Sequence, residues 1–366
     1  MSIGIGGAGS KLAAMLDPET STIVNVSEVE LDKVDAAKKM RAVIHKPTGQ
    51  FRGARKSPEI GRSAFASISN EILSKIKGDI VFASTGGGTG NGLASVLLER
   101  LSDLPAIDPL DKTTFALVLP YPELEATEYV DNTINFLGGP LSLAIDAGNT
   151  GNIILYSNQV KFQQKIAEAD YNDRLIDSLK RFLAIPDKGA EFGLLDGHID
   201  FEDFSLYRSR PYFNHFTQFD FDPTVDFGEQ FQANLNPLLL APAGAIESLF
   251  LLEVPERTQT PAFYPILEHF AKEGVAPTYG VVHNPSLAKP QITISVLYSR
   301  KPLELVDDFT HISEESKRTR IKKSLEQYVT LTQLNVDMDT EARKIVKNRG
   351  EQGDDLLDTL KRLGKL

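Results

Sequence analysis

The chain has 366 residues, 41% hydrophobic and 24% charged, with a formal net charge of −11. That balance supplies material for a sizeable core and argues against a surface that coats nucleic acid throughout, while leaving room for a local basic patch. It contains no cysteine, which excludes disulfides, thiolate metal ligands and cysteine nucleophiles. No apolar run approaches a membrane span, and Met1-Ser2-Ile3-Gly4 lacks a basic, apolar signal segment. A soluble cytoplasmic protein with no membrane partner is expected, of about two domains at roughly 100–200 residues each.

In chain order, residues 2–6 read as a short strand ending in Gly4-Ile5-Gly6-Gly7-Ala8-Gly9, with a helix over 10–16. The β-branched cluster at 22–26 reads as a second strand. Residues 41–61 form a long connection rich in Gly, Arg and Lys, and 62–77 is helical. The apolar run 79–83 is a strand that feeds Ser84-Thr85-Gly86-Gly87-Gly88-Thr89-Gly90-Asn91-Gly92, and a helix follows over 92–102. Residues 113–119 and 152–156 are further strands, with a helix over 125–136 between them. Strands alternating with helices imply a parallel sheet covered on both faces. Apolar spacing from 162 to 183 predicts a long helix leading out of this domain. Residues 184–240 show no sustained period. Strands at 248–254 and 292–298 with a helix at 263–272 between them predict a smaller α+β unit. A helix over about 313–334 follows, and Leu356, Leu357, Leu360 and Leu363 share one helical face in the tail.

Both glycine clusters would lie at the carboxyl ends of their strands, where such sheets bind ligands. Glycine lets successive backbone N–H groups converge, and a helix start adds partial positive charge, so each cluster is a cradle for phosphate. Residues 4–9 alone satisfy G-x-G-x-x-G, with Glu28 about 20 residues on, which also suits a dinucleotide. They do not make a P-loop, because Gly9 is followed by Ser10-Lys11 rather than Lys-Ser/Thr. The second cluster is one that a nicotinamide enzyme does not need. Two such loops on one sheet edge suit a triphosphate. Gly53-Ala54-Arg55-Lys56-Ser57-Pro58-Glu59-Ile60-Gly61 adds a third donor loop with two cations, suited to a terminal phosphate.

At these residues the chain resembles the tubulin/FtsZ superfamily. Residues 86–92 are similar to the signature Gly-Gly-Gly-Thr-Gly-Ser/Thr-Gly, departing at Asn91. Residues 4–10 resemble the first nucleotide loop, with Lys11 where FtsZ has Asn. Asn25-Val26-Ser27 resembles Asn-Thr-Asp, and 53–61 the γ-phosphate loop. Pro120-Tyr121 with Leu124-Glu125 resembles the ribose loop, with Tyr129 in place of an Arg. Tyr156-Ser157-Asn158-Gln159 is similar to the segment whose Asn reads guanine, and 162–183 would be the central helix, with Tyr171 and Asn172 toward the base. His198-Ile199-Asp200-Phe201-Glu202-Asp203-Phe204 resembles Asn-Val-Asp-Phe-Ala-Asp-Val. The resemblance therefore implies nucleotide contacts at Gly6, Gly7, Ser10, Asn25, Gly53, Ala54, Arg55, Gly86, Gly87, Gly88, Thr89, Gly90, Asn91, Glu125, Asn158, Tyr171 and Asn172. It implies catalytic acids at Asp200 and Asp203, GTP/GDP with Mg2+ as cofactors, and no assigned side-chain metal ligand.

The implied fold is α/β: a Rossmann-like GTP-binding domain (1–160), a central helix (161–184), an α+β activation domain (185–305) and a C-terminal helix and tail (306–366). The implied function is a GTPase that stacks head to tail into filaments, each active site completed by the acids of the adjoining subunit. A C-terminal helix without a low-complexity linker is most like the plasmid- and phage-encoded TubZ and PhuZ branch, which moves or positions DNA. That branch implies a bacterial or phage-infected host cytoplasm and a DNA-bound adaptor protein at the C-terminal helix or tail. The cationic run Lys317, Arg318, Arg320, Lys322 and Lys323 reads as a solvated face or a patch for an acidic neighbour. The alternatives are a tubulin-like nucleotide-binding regulator that does not polymerise and an NAD-dependent dehydrogenase built on residues 4–9.

Overall fold

The computed structural model describes residues 1–46, 49–50, 52–299 and 302–334. The chain divides into two compact units, Met1–Ser313 and Glu314–Leu366. In the first lie β1 (Ser2–Ile5), α1 (Gly6–Leu16), β2 (Thr22–Asn25), α2 (Glu28–Asp32) and β3 (Lys38–Arg41). A hairpin of β4 (His45–Lys46) and β5 (Gly49–Gln50) follows, then α3 (Pro58–Ala64), α4 (Ser69–Leu73), β6 (Ile80–Ser84), α5 (Gly88–Ser102) and β7 (Thr113–Leu119). Next come α6 (Thr127–Phe136), a π-turn at Leu137–Leu141, α7 (Ser142–Ala147), β8 (Thr150–Ser157), α8 (Gln159–Gln163) and α9 (Glu168–Leu183).

Strands β3-β2-β1-β6-β7-β8 neighbour one another in that order, all in parallel. β1 and β6 are therefore the pair at which the strand order reverses, the place where such sheets open a ligand crevice. β6 to β8 are buried along nearly their whole length, with apolar centres, as strands covered on both faces are. β3 escaped the sequence pattern: it is an edge strand carrying Lys38, Lys39 and Arg41, charges that blunt an open edge.

The stretch without a readable period, 184–240, holds α10 (Ile185–Glu191), β9 (Gly193–Gly197), α11 (Phe201–Arg208), β10 (Phe213–Asp220) and α12 (Phe227–Ala233). β10 was illegible because buried polar residues interrupt its alternation. Their partners come from distant segments: Asn214 Nδ2 donates to Asn152 Oδ1 (2.8 Å), and Ser295 Oγ donates to Asn214 Oδ1 (2.7 Å). Beyond it lie β11 (Glu247–Val254), α13 (Tyr264–Lys272), β12 (Thr278–His283) and β13 (Gln291–Tyr298). β10 joins the parallel half beside β8 through Phe213 and Ile153. The sheet then continues β10-β13-β11-β12-β9, to eleven strands, with antiparallel pairs on both sides of β13.

Three elements differ from expectation. The helix over 162–183 is two helices, α8 and α9, because Lys165 turns left-handed (φ 54°) between them; no Gly or Pro announces the break. Residues 62–77 are helical from Pro58 and broken after Ala64 by a 3-10 turn at Phe65–Ser67. The last helix, α14 (Pro302–Leu334), begins earlier than 313, with Leu305 and Phe309 buried in the core on one face of the parallel strands. In the second unit, Arg318 pairs with Glu314 one turn away (3.7 Å). The leucine face at 356–363 lies outside the described residues.

Candidate functional site

Both glycine clusters open helices. α1 begins at Gly6, directly after β1, and α5 at Gly88, four residues after β6. Their N-termini meet at the strand-order reversal. Gly6 takes a left-handed φ of 75°, and a Cβ there would lie 2.8 Å from the Gly90 nitrogen. Most of these glycines allow backbones to touch. A Cβ on Gly9 would lie 2.2 Å from the Phe82 carbonyl oxygen, and one on Gly92 2.2 Å from that of Pro58. Gly87 differs: its nearest neighbour would be Ser84 Oγ at 3.7 Å, so its free face belongs to the cavity.

The cavity has two halves. One, about 260 Å³, is walled by Gly6, Gly7, Ala54, Arg55, Gly88, Thr89 and Gly90. Backbone nitrogens and two helix starts make this the anion-binding half. The other, about 220 Å³, is walled by Gly86, Pro120, Glu125, Asn158, Tyr171 and Asn172. An aromatic ring beside amide and carboxylate groups suits a nucleoside. Ala8, Ser84, Gly87 and Tyr129 line both halves and join them.

The nucleoside half is held by its own bonds. Glu125 Oε2 accepts from the Tyr121 backbone N–H (2.6 Å) and from Asn158 Nδ2 (3.0 Å). Tyr171 donates its hydroxyl to the Ser157 carbonyl at 2.7 Å, and burial pushes that hydroxyl's pKa up, so it stays a neutral donor. Glu168 also lines this half. The hydrogen bond from Lys11 Nζ (2.7 Å) holds its carboxyl below the usual range, and so ionised.

Thirteen of the implied nucleotide contacts thus line one half or the other. Four do not. Because α1 starts at Gly6, Ser10 faces the sheet, 1% exposed, its hydroxyl toward the Gly4 carbonyl (3.5 Å). Asn91 is buried, its Nδ2 donating to the carbonyls of Thr85 and Asn132. Asn25 takes the Ser27 N–H on Oδ1 (3.1 Å) and gives Nδ2 to Glu30 Oε2 (2.7 Å), so it aims Glu30 rather than lining the wall itself. Gly53 precedes the wall-forming turn in open space.

Asp200 and Asp203 are also absent from both walls. They open α11, where Asp200 caps the helix by accepting the Asp203 N–H (2.7 Å), and Phe201 between them is 72% exposed. α11 is anchored from behind: the Tyr207 hydroxyl lies 3.0 Å from Ser295 Oγ, and Asn152 Nδ2 donates to the Tyr207 carbonyl (3.1 Å).

Sequence reasoning assigned no site role to Glu30, Ser84, Asn132, Lys161 or Glu168, and read Lys56 as one of two cations suited to a terminal phosphate. Asn132 donates one amide nitrogen to the carbonyls of both Lys56 (3.1 Å) and Gly86 (2.9 Å), tying the turn at 54–57 to the glycine loop. No local motif marks such a residue; it acts across 76 and 46 positions of chain. Tyr129, noted only as a departure from a pattern, stands at the junction of the halves.

Residues 1–138 match the GTPase domain of the Tubulin/FtsZ family. No curated protein matches the chain. Among solved structures it is similar to a GTPγS-form protofilament of Bacillus thuringiensis serovar israelensis TubZ (13% identity, TM-score 0.68, 92% of this chain and 94% of that one). It is also similar to Clostridium botulinum phage c-st TubZ (16%, 0.62, 87% and 98%) and to an FtsZ dimer from M. jannaschii (19%, 0.59, 81% and 87%). At these identities the likeness is one of fold, and the fold is that of tubulin and FtsZ.

Proposed function

Since residues 1–138 are a Tubulin/FtsZ-family GTPase domain, we propose that the two-part cavity binds GTP and GDP and that GTP is hydrolysed when a second copy of the chain completes the site. The observation that carries this reading is a division of labour. The phosphate-binding groups converge at the β1/β6 crevice, while Asp200 and Asp203 stand exposed elsewhere on the same chain, beside an exposed phenylalanine. Phosphoryl transfer to water asks the protein for positioning and charge stabilisation. One chain positions the phosphates; its neighbour's acids would orient the attacking water. A contact between two different faces does not close on itself and propagates as a filament.

The residues present suit the nucleotide. A substituent on Gly87 would project into the cavity, and the residues lining the phosphate half include one carboxylate, Glu30. A carboxylate among phosphates is favourable when a cation lies between them, so Glu30 is the side chain that fits Mg2+. Among the described residues no cluster of three or more acidic or histidine side chains could hold an ion. Mg2+ typically keeps waters and takes substrate phosphates as ligands, rather than using an all-protein cage.

Within the superfamily we place the chain with TubZ and PhuZ, which move or position plasmid or phage DNA in a bacterial cytoplasm through a DNA-bound adaptor. Support comes from the C-terminal helix α14. No described helix is long and apolar enough to cross a membrane.

Right-angle light scattering with GTP, GDP and NAD, with phosphate release followed in parallel, tests the reading. Scattering and phosphate release specific to GTP are expected. Guanine nucleotide binding without scattering would instead indicate a regulator that does not polymerise, and NAD binding alone a dehydrogenase.

A further inference from the structure

Resting on the proposed completion of the site by a neighbour's Asp200 and Asp203, we infer that Asn152, Asn214, Ser295 and Tyr207 close one ring of buried hydrogen bonds that aims those acids. The four are positioning residues. They set the angle at which α11 carries its acidic end to the neighbour's nucleotide.

The ring is built from four elements. The Tyr207 hydroxyl, on α11, lies 3.0 Å from Ser295 Oγ on β13. Ser295 has one proton to give, and it goes to Asn214 Oδ1 on β10 (2.7 Å), so Tyr207 is the donor to Ser295. Asn214 Nδ2 donates to Asn152 Oδ1 on β8 (2.8 Å), and Asn152 Nδ2 returns to the Tyr207 carbonyl (3.1 Å), which closes the circuit. Asn152 Nδ2 also donates to the Arg210 carbonyl (2.9 Å). All four side chains are buried, and burial pushes the Tyr207 hydroxyl's pKa up, which keeps it a donor. Gly151 lets the helix end come this close: a Cβ there would lie 2.6 Å from the Arg208 carbonyl oxygen.

Stability alone does not ask for such a ring. Apolar side chains of the same shape could fill these strand positions at little or no loss, because hydrogen bonds made in the fold replace bonds made with water. A fully satisfied buried network adds something else, a single fixed arrangement. The acidic end of α11 depends on it. Ile199 and Phe204 are buried there, the Phe204 ring 5.0 Å from that of Phe182, but apolar burial is non-directional and does not set the helix tilt. Asp200 and Asp203 are exposed, free of any wall that would hold them.

The lever is long enough to matter. Asp200 lies about 10 Å along the axis from Tyr207, so a tilt of about 10° at the ring swings it by about 2 Å. A misplacement of about 1 Å is enough to slow a reaction by about 100-fold. The ring also spans the sheet's junction: β8 belongs to the parallel half, β10 and β13 to the half beyond it. α11 is thereby fixed to both halves, and Arg208 Nη2 adds a bond to Thr114 Oγ1 on β7 (3.2 Å).

Tyr207→Phe removes one ring bond and keeps the packing. Phosphate release per assembled chain should fall about three- to tenfold, the rate equivalent of one hydrogen bond. GTPγS and GDP affinity of the dilute chain, and the concentration at which GTPγS gives scattering, should stay within about twofold. Ser295→Ala opens the ring at the same bond and should slow release at least as much. The decisive comparison uses a chain that already carries Asp200→Asn and Asp203→Ala. With the acids gone, Tyr207→Phe should leave the residual rate unchanged within about twofold. A merely structural ring would slow release equally with and without the acids, or weaken nucleotide binding and assembly along with it. Either result overturns the proposal, as does an unchanged rate in Tyr207→Phe. An unsubstituted chain whose rate per chain does not rise on association would instead remove the shared-centre reading on which the ring's role rests.

Discussion

Asn132 donates to the carbonyl of Gly86 at 2.9 Å and with the same nitrogen to that of Lys56 at 3.1 Å. Its own carbonyl accepts from Asn91 (2.9 Å), so α6 straps together the two loops that wall the phosphate half. Asn132→Ala leaves the fold nearly intact, since each lost bond is worth about 1 kcal/mol. GTP and GDP affinity should fall together, by about tenfold, with unchanged circular dichroism. A loss confined to one nucleotide would contradict a role in holding both loops.

The glycines separate fold from function. Gly92→Ala and Gly9→Ala drive a Cβ into backbone carbonyls at 2.2 Å, and overpacking of this kind costs about 1–3 kcal/mol or more. Gly87→Ala meets nothing closer than 3.7 Å, and its φ of −79° suits any residue. Thermal denaturation should therefore show a lowered Tm for the first two and not for Gly87→Ala, which should lose nucleotide affinity instead.

Asp200 has one observed role, as a helix cap, and one proposed role, in hydrolysis. As the cap of α11 it accepts the Asp203 N–H, and Asp200→Ala sacrifices about 1 kcal/mol of helix stability along with the charge. Asp200→Asn keeps a good cap and removes the charge alone. With Asp203→Ala it should bind GTP and assemble normally, while phosphate release slows by at least about tenfold and polymers persist. Normal turnover in both would remove these acids from catalysis.

His215 ties stability to pH. It is 1% exposed; its Nε2 accepts the Asn236 N–H (3.1 Å) and its Nδ1 donates to the Leu240 carbonyl (2.9 Å), so the ring is neutral. Burial pushes its pKa down to about 4. Folded His215 binds its proton less readily than unfolded His215, whose pKa is near 6.5. The contribution is complete above about pH 6.5 and is lost as pH falls toward 4, an amount on the order of 3 kcal/mol. Urea midpoints between pH 7 and 4 should fall, and fall less steeply in His215→Gln. Equal slopes would contradict the assignment.

How much was legible in the sequence depended on the range over which each residue acts. The parallel strands and both glycine clusters were readable because β-branched runs and Gly spacing are local signals. Where the helices begin was not: α1 and α5 absorb glycines that read as loop, because Gly6 and Gly88 pack against distant backbone. That shift turned Ser10 onto the sheet. β10 stayed hidden because Asn214 and His215 find partners far away in the chain. Asn132 was invisible for the same reason, whereas Tyr129 was visible as a departure and lacked only a reason.

Phosphate release per chain, followed as chain concentration rises from high dilution through the onset of scattering, tests most directly whether one chain owns only half of a hydrolytic centre. A rate per chain that is near zero when dilute and climbs once chains associate is the predicted result. A rate per chain that is the same at every concentration would contradict it.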